Sequence, residues 1–159
     1  MDIDPASLAS ALEASPLGVA MRGGKGFYPA ANVVHIIGLV LLLGSIGVLD
    51  LRVAGLGRAI PLPTLSRMLT PLAMAGLALL AASGFVLFAA DASPLLRSPV
   101  FLTKLVLIGL ALVNALAFRR WFGDGDYGSE PPAAARCMAV GSLVLWTTAA
   151  VLGRLIAYS

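Results

Sequence analysis

The sequence predicts an all-α protein, an integral membrane four-helix bundle with a short N-terminal surface helix. Two observations support this prediction. Hydrophobic residues make up 59% of the 159 residues and charged residues only 12%, against about 45–50% and about 25% in soluble domains. The apolar stretches are also long enough to cross a hydrocarbon layer of about 30 Å, since a helix rises about 1.5 Å per residue. A bilayer is therefore the solvent in which this chain can bury its apolar surface.

Charged and helix-breaking residues divide the chain into two parts. Residues 1–28 are expected to form a surface helix, in which Leu8 and Leu12 recur at helical spacing and Ser15-Pro16 ends the pattern, followed by a loop at 22–26. The four-helix transmembrane domain takes residues 29–159, with spans at about 29–50, 68–90, 100–118 and 137–158. The short, proline-punctuated connection ASPLLRSP predicts that the second and third spans are antiparallel neighbours.

The basic residues predict the orientation of the bundle, because four spans place both termini on one side. The side with the loops between spans one and two and between spans three and four carries Arg52, Arg58, Arg67, Arg119, Arg120 and Arg136, and the other side carries Arg22, Lys25, Arg97, Lys104 and Arg154. The positive-inside rule then predicts cytoplasmic loops and termini on the far side. These positions also account for the net charge of +3, so no nucleic-acid partner is expected.

The polar focus of the predicted bundle is His35, the single histidine of the chain, which lies within span one. The four-span topology brings it to the depth of Lys104 and Arg154, with Asn32 and Asp91 completing a polar ring. Ionisable groups inside a bilayer are costly, so each needs a partner or a wet path. Three interpretations of His35 stay open: a neutral imidazole bonded between helices, a ligand of haem b or of a metal ion, and a proton-handling group.

The haem interpretation assigns cofactor-binding roles to four residues. His35 would be the axial ligand, Gly38 one turn away would leave room for the macrocycle, and Lys104 and Arg154 would pair with the propionates. A second histidine is missing within one chain, so a six-coordinate site needs another copy across a two-fold axis or a different partner. A copper site at His35 meets the same shortage, because soft-metal sites need several converging Cys, Met or His ligands.

A second polar group is expected near the opposite face of the membrane. It consists of Asp50, Arg52, Asn114 and Arg119. We expect Asp50 and Arg52 to pair with Asn114 or Arg119 and so to lock the helices together. The chain carries no GxSxG, HExxH, Walker or Rossmann pattern, so enzyme activity by this chain alone is not expected.

Three blocks of sequence carry a family resemblance. They are His35-Ile-Ile-Gly38 together with DLRVAG at 50–55, FLTKLVLIGLALVNALAF at 101–118, and SLVLWTTAAVLGRLIAY at 142–158. In these blocks the chain resembles a family of small, functionally uncharacterised bacterial membrane proteins, which implies a four-helix bundle in the inner membrane. A looser likeness to copper-resistance D-type and cytochrome b561-like membrane domains implies metal or haem handling. The paired histidines of the b561-like pattern are absent here.

These observations lead to one leading functional hypothesis. The chain is expected to be an accessory or anchoring subunit of a respiratory or metal-handling membrane assembly, with His35 as a cofactor site. The alternatives are a haem b electron-transfer protein and a copper-handling module. The expected partners are the lipid bilayer and either a second copy of the chain or another membrane protein.

Overall fold

The computed structural model describes residues 4–24, 26–123 and 130–156, and these residues form seven α-helices. Three are short: α1 (Pro5–Ala14), α2 (Pro16–Gly23) and α5 (Ala92–Arg97). Four are long: α3 (Phe27–Ala54), α4 (Leu62–Ala90), α6 (Pro99–Phe122) and α7 (Ala133–Leu155). Each long helix has the length and the apolar composition needed to cross a membrane. The predicted all-α class and the four apolar helices are thereby confirmed, and the protein is a multi-pass membrane protein.

The long helices extend beyond the predicted spans. Helix α4 begins at Leu62 rather than near residue 68, and α6 continues past residue 118 to Phe122. The predicted limits were set by charged residues, which end a hydrocarbon segment but not a helix, since an arginine reaches the headgroups with its flexible stem. Pro63 lies in the first turn of α4, where a proline needs no amide partner. The predicted end of the fourth span, at 158, lies outside the described residues.

The N-terminal segment forms two helices where the sequence predicted one. Ser15 caps the start of α2 through its side chain, and Pro16 occupies the first turn, so the Ser-Pro pair ends one helix and begins the next. Arg22 belongs to α2 and not to the expected loop. Both helices pack against α4; α1 also packs against α5, and α2 against α3. The segment therefore forms a cap on one end of the bundle.

The long helices pack against one another to different extents. Helix α3 packs closely against both α4 and α7, and α6 packs closely against α7. Among the described residues, the backbones of α4 and α6 hardly approach each other, so the second and third spans are neighbours through side chains and not through close backbone packing. Helix α5 separates their ends, and the stacked rings of Phe88 and Phe101, with centroids 5.7 Å apart, join the two helices instead.

The contact between α3 and α4 depends on two facing glycines. A Cβ atom added at Gly76 would lie 2.6 Å from the amide nitrogen of Leu42 and 2.8 Å from the carbonyl oxygen of Gly38. Both distances are shorter than any real Cβ contact, so only glycine allows the two backbones to come this close. Small residues serve this purpose in membrane bundles, because lipid supplies no hydrophobic force that drives helices together.

A small core lies at the centre of the bundle. Leu42, Ala73, Ala111 and Trp146, one residue from each long helix, are buried together. Larger apolar side chains on the outer faces of the helices stay exposed, among them Val40 and Val113. Water would disfavour this distribution, whereas hydrocarbon tails solvate it. The exposed apolar residues are therefore the lipid-facing surface.

The cap is fastened to the bundle by two side chains. The Glu13 carboxylate accepts hydrogen bonds from the amide and the hydroxyl of Ser93, at 2.6 and 2.9 Å. The Arg22 guanidinium donates to the carbonyl oxygens of Ala90 and Glu13, at 2.8 and 2.6 Å. The amide of Ser93, followed by its hydroxyl, holds the pKa of the Glu13 carboxyl below its usual value. The two bonds to Ser93 therefore favour an ionised Glu13, whereas the Arg22 bonds do not depend on the charge of that carboxyl.

We predict that Gly76→Ala destabilises the bundle. The added methyl group overlaps the backbone of α3, and overpacking of this kind costs about 1–3 kcal/mol. The matched control is Gly109→Ala in α6, because nothing lies within 4 Å of a Cβ atom there. Thermal unfolding in detergent should show a lower midpoint for the first variant and little change for the second. Equal midpoints for Gly76→Ala and wild type would contradict the close α3–α4 contact.

We also predict that Glu13→Gln loosens the cap. A neutral amide accepts more weakly than a carboxylate, so backbone amides of residues 5–14 should exchange faster with deuterium. The control Glu130→Gln, at the opposite end of the bundle, should leave them unchanged. The pKa of Glu13 is lower in the folded protein than in the unfolded chain. Its contribution to the stability of the cap is therefore present above the pKa of the unfolded chain and is lost as the pH falls through the pKa of the folded protein. Acid should therefore loosen the wild-type cap but not the Glu13→Gln cap further.

Candidate functional site

His35 is held in the bundle by a hydrogen bond between α3 and α4. Its Nδ1 atom lies 2.9 Å from Oγ of Ser83, and its ring edge faces Gly84, where a Cβ atom would lie 3.3 Å from Cε1. At about 1.5 Å per residue, His35 lies about 12 Å from the start of α3 and Ser83 about 10 Å from the end of α4. Both residues therefore occupy one layer near the capped end.

The hydrogen bonds of Ser83 assign the tautomer of His35. The Ser83 hydroxyl donates its single hydrogen to the carbonyl oxygen of Leu79, one turn earlier in α4. The bond between Ser83 and His35 therefore needs its hydrogen from the imidazole, so Nδ1 carries the proton and donates. In a neutral imidazole the other nitrogen, Nε2, is then an unprotonated acceptor. The ring thus offers one lone pair in a fixed orientation.

Lys104 belongs to the same layer. Its side chain crosses α7 at Gly153, where a Cβ atom would lie 3.2 Å from Nζ and 3.5 Å from Cε, and its charge acts on His35. The last turn of a helix carries a partial negative charge from its free carbonyls, so the end of α7 is a favourable position for the ammonium group. The sequence-based prediction placed Lys104 at the depth of His35, and in the structure the Lys104 charge is near enough to act on the imidazole.

The other members of the predicted polar ring lie at its margin. Arg154 is exposed in the last turn of α7, next to the residue that Lys104 crosses. Asn32 is exposed one turn before His35 in α3, and Asp91 is exposed at the C-terminal cap of α4. The layer therefore consists of His35, Ser83 and Lys104, with the other three residues around it.

Gly38 does not leave the space that the haem interpretation needs. A Cβ atom at this position would lie 3.0 Å from the carbonyl oxygen of Gly76, from Cβ of Leu79 and from the amide nitrogen of Leu80. Helix α4 fills the room beside Gly38, so the expected cofactor role of this residue is corrected to helix packing.

Arg52 and Arg119, from the second polar group, do not form the expected pairs. Nε of Arg52 donates to the carbonyl oxygen of Ile60 at 2.7 Å, and its Nη2 donates to that of Arg58 at 3.2 Å. The buried guanidinium thus holds the connection between α3 and α4 in place. Arg119 is exposed near the end of α6. The prediction failed because backbone carbonyls a few residues away compete successfully with distant side chains for an arginine.

Asp50 and Asn114 each face α7 and do not bond to each other. The Ser142 hydroxyl is the α7 group that acts on the Asp50 carboxyl, and Nδ2 of Asn114 donates to the carbonyl oxygen of Met138 at 3.1 Å. These interactions join α3 and α6 to the same helix. The expected locking of the bundle is thus provided by side chains that all meet on α7.

Ser83, Gly153 and Ser142 were missed by sequence reasoning. Ser83 is a hydroxyl residue in an alanine- and glycine-rich span. Because a buried hydroxyl needs a hydrogen-bond partner, its position in this span was a signal in the sequence that could have identified it. Its pairing with His35 depends on the register between α3 and α4, which one sequence does not show. Gly153 is one of many glycines, and only the path of Lys104 explains it.

The described residues contain no group of three or more His, Cys, Asp or Glu side chains that could hold a metal ion. Cys137 is exposed on α7. A protein metal site needs several converging ligands, and His35 supplies one. The layer can therefore offer one imidazole nitrogen, either as a metal ligand or as a hydrogen-bond acceptor. One ammonium group lies in the same layer.

The fold and this layer define a class of small multi-pass membrane proteins, built from four apolar helices around one histidine. The chain belongs to a family of unknown function (DUF6644), whose profile matches residues 10–159. The predicted resemblance to an uncharacterised family is thereby confirmed. No curated protein and no solved structure matches the chain.

We predict that His35 is protonated on Nδ1 and that Ser83→Ala releases this preference. Because the chain has one histidine, ¹⁵N-histidine labelling gives one pair of ring signals in a nuclear magnetic resonance spectrum. Wild type should show a protonated Nδ1 and an unprotonated Nε2, and Ser83→Ala should show a mixture of tautomers. Ser66→Ala, a control on the same helix, should resemble wild type. A protonated Nε2 with a bare Nδ1 in wild type would contradict the assignment.

Proposed function

We propose that this protein is an accessory or anchoring subunit of a respiratory or metal-handling assembly in the bacterial inner membrane. In this proposal its intramembrane function is to present Nε2 of His35 as a ligand or hydrogen-bond acceptor. The observation that carries the proposal is the chain of hydrogen bonds from His35 through Ser83 to Leu79. A ring held in this way supplies an oriented lone pair, as second-shell partners do for metal-binding histidines.

A partner chain is part of the proposal because the layer holds too few ligands by itself. A single imidazole does not complete a metal site, and the described residues bring no second histidine, cysteine or carboxylate group into such a cluster. The missing ligands then come from a second copy of this chain or from another membrane protein. The exposed apolar faces of the long helices provide surface for such a contact as well as for lipid.

The proposed orientation places the termini in the periplasm. At the end of the bundle that carries the α3–α4 and α6–α7 connections, the basic residues are Arg52, Arg58, Arg67, Arg119, Arg120 and Arg136. The capped end carries Arg22, Arg97, Lys104 and Arg154, while Lys25 lies outside the described residues. An excess of basic residues favours the cytoplasmic side, which supports cytoplasmic connections.

The alternative function is electron transfer through haem b. The unprotonated Nε2 of His35 favours it, because an axial ligand coordinates through such a lone pair. The contact of Gly38 with α4 argues against a macrocycle enclosed between α3 and α4. In this alternative Nε2 of His35 and a residue of a partner chain would hold the haem, Lys104 and Arg154 would pair with its propionates, and the haem would supply one-electron chemistry.

Copper handling is the weaker alternative. Met68 and Met74 are exposed on α4, and Met21 is buried in the cap. These thioethers do not converge on His35 as copper ligands must. The looser likeness to copper-resistance D-type and cytochrome b561-like domains belongs to these two alternatives, and it rests on His35 and on the Lys104–Asn114 pattern of the third span.

The test is purification from the native membrane in mild detergent, as wild type, His35→Ala and Asn32→Ala. Asn32 is the matched control because it is exposed one turn from His35. Native mass spectrometry reports the bound chains, metal analysis reports copper and iron, and absorption spectra in the oxidised and reduced forms report haem. We expect wild type and Asn32→Ala to carry a partner chain and a bound cofactor signal that His35→Ala loses.

The outcomes separate the functions. A Soret band that shifts on reduction and is lost in His35→Ala supports the haem alternative. Copper content that is equal in wild type and His35→Ala removes the copper alternative. A free monomer with a flat visible spectrum and no bound metal overturns the proposed accessory function.

A further inference from the structure

Asp50 is the one acidic residue within the four long helices. It lies in the last part of α3, at the end of the bundle opposite the cap, and it is half-buried. The Ser142 hydroxyl of α7 is the polar side chain that acts on its carboxyl. The carboxyl oxygen Oδ2 is fully buried, and within the described residues it has no hydrogen-bond partner. A carboxylate with a single neutral donor in such surroundings is costly.

Among the described residues at this end of the bundle, no cation forms an ion pair with Asp50. Arg52, two residues away, donates to backbone carbonyls, and Arg58 and Arg136 pair with Glu130 in the described part of the chain. The remaining charged residues at this end are exposed to solvent or headgroups: Arg67, Arg119 and Arg120. Asp50 therefore differs from the ion-pair residue that the sequence led us to expect.

A donor without an acceptor lies on the same seam between α3 and α7. Trp146 is 6% exposed, and its buried Nε1 has no hydrogen-bond partner among the described residues. Ser142 and Trp146 are one turn apart and both lie on the buried face of α7. Helical side chains lean toward the N-terminus of their helix, which inclines the Trp146 indole toward the turn that holds Ser142. A buried acceptor and a buried donor thus lie along one seam, each unsatisfied within the described residues.

We propose that the seam between α3 and α7 is a reversible proton-binding site, with Asp50 as the proton acceptor and Trp146 as the group that accommodates the ionised form. In the protonated state the carboxyl is neutral, so its burial needs no counter-ion. The indole N–H then donates no hydrogen bond. When the proton leaves to water at the arginine-rich end of the bundle, the carboxylate accepts from Ser142 and from Nε1 of Trp146. Charge-assisted bonds of this kind are about twice as strong as neutral ones.

The two unsatisfied atoms are what distinguish a reversible site from a purely structural acid. A structural carboxylic acid would have fixed partners for both oxygens, and a structural tryptophan would have a fixed acceptor. Here the same pair of groups is unsatisfied in one protonation state and bonded in the other. The inference does not rest on the proposed function of His35, because it uses different residues at the other end of α3.

The test is infrared spectroscopy of the protein in lipid vesicles over a range of pH. A protonated carboxyl group outside water gives a carbonyl stretching band separate from that of carboxylates. We expect such a band in wild type at neutral pH, its loss in the near-isosteric variant Asp50→Asn, and its disappearance in wild type as the pH rises. In Trp146→Phe the band should persist to higher pH, with an apparent proton affinity about tenfold greater, because the ionised form has lost a donor.

The matched control is Trp121→Phe, since Trp121 is exposed near the end of α6, and it should titrate like wild type. A folded wild type without the band, or a band that survives Asp50→Asn, overturns the proton site. A midpoint in Trp146→Phe equal to that of wild type overturns the role of the indole and with it the two-state site. Circular dichroism of each variant shows whether it is folded. If Trp146→Phe fails to fold, Ser142→Ala is the second variant whose titration midpoint should differ from that of wild type.

Discussion

The close approach of α3 and α4 is the interaction on which the rest of the structure depends. Gly38 and Gly76 allow the two backbones to touch, and Gly76 lies directly against the amide of Leu42. In an antiparallel pair, a contact at one level fixes the partners at every other level. Ser83 therefore comes to lie opposite His35, about two turns further along. A helix pair held apart by larger side chains would leave this hydrogen bond unmade.

The sequence alone predicted the parts of the fold that follow from the free energy of transferring apolar residues from water into a bilayer. Long uncharged stretches gave the four helices, and the depth of Lys104 along its span placed it in the layer of His35. The partners of the second polar group were predicted wrongly, because depth along a helix is readable from the sequence but rotation about its axis is not. Arg52 found its acceptors in the connection just after its own helix, which no count of residues along a span would show.

The two ends of α3 have opposite chemical characters within one rigid element. Near the cap, His35 presents an acceptor whose orientation is fixed by a serine. Near the arginine-rich end, the buried Oδ2 of Asp50 has no hydrogen-bond partner within the described residues. The apolar core around Leu42 and Trp146 separates them, so neither group can relay a hydrogen bond directly to the other.

The cap has a consequence for biogenesis of the protein. Glu13 and Ser93 are separated by 80 residues in the chain, so the fastening bonds cannot form until two spans have been made and the second has emerged. At a synthesis rate of about 5–20 residues per second, this leaves α1 and α2 without their docking surface for roughly 4–16 seconds. During that interval the N-terminal segment is accessible to insertion factors and proteases, and completion of the helical hairpin of α3 and α4 ends the exposure.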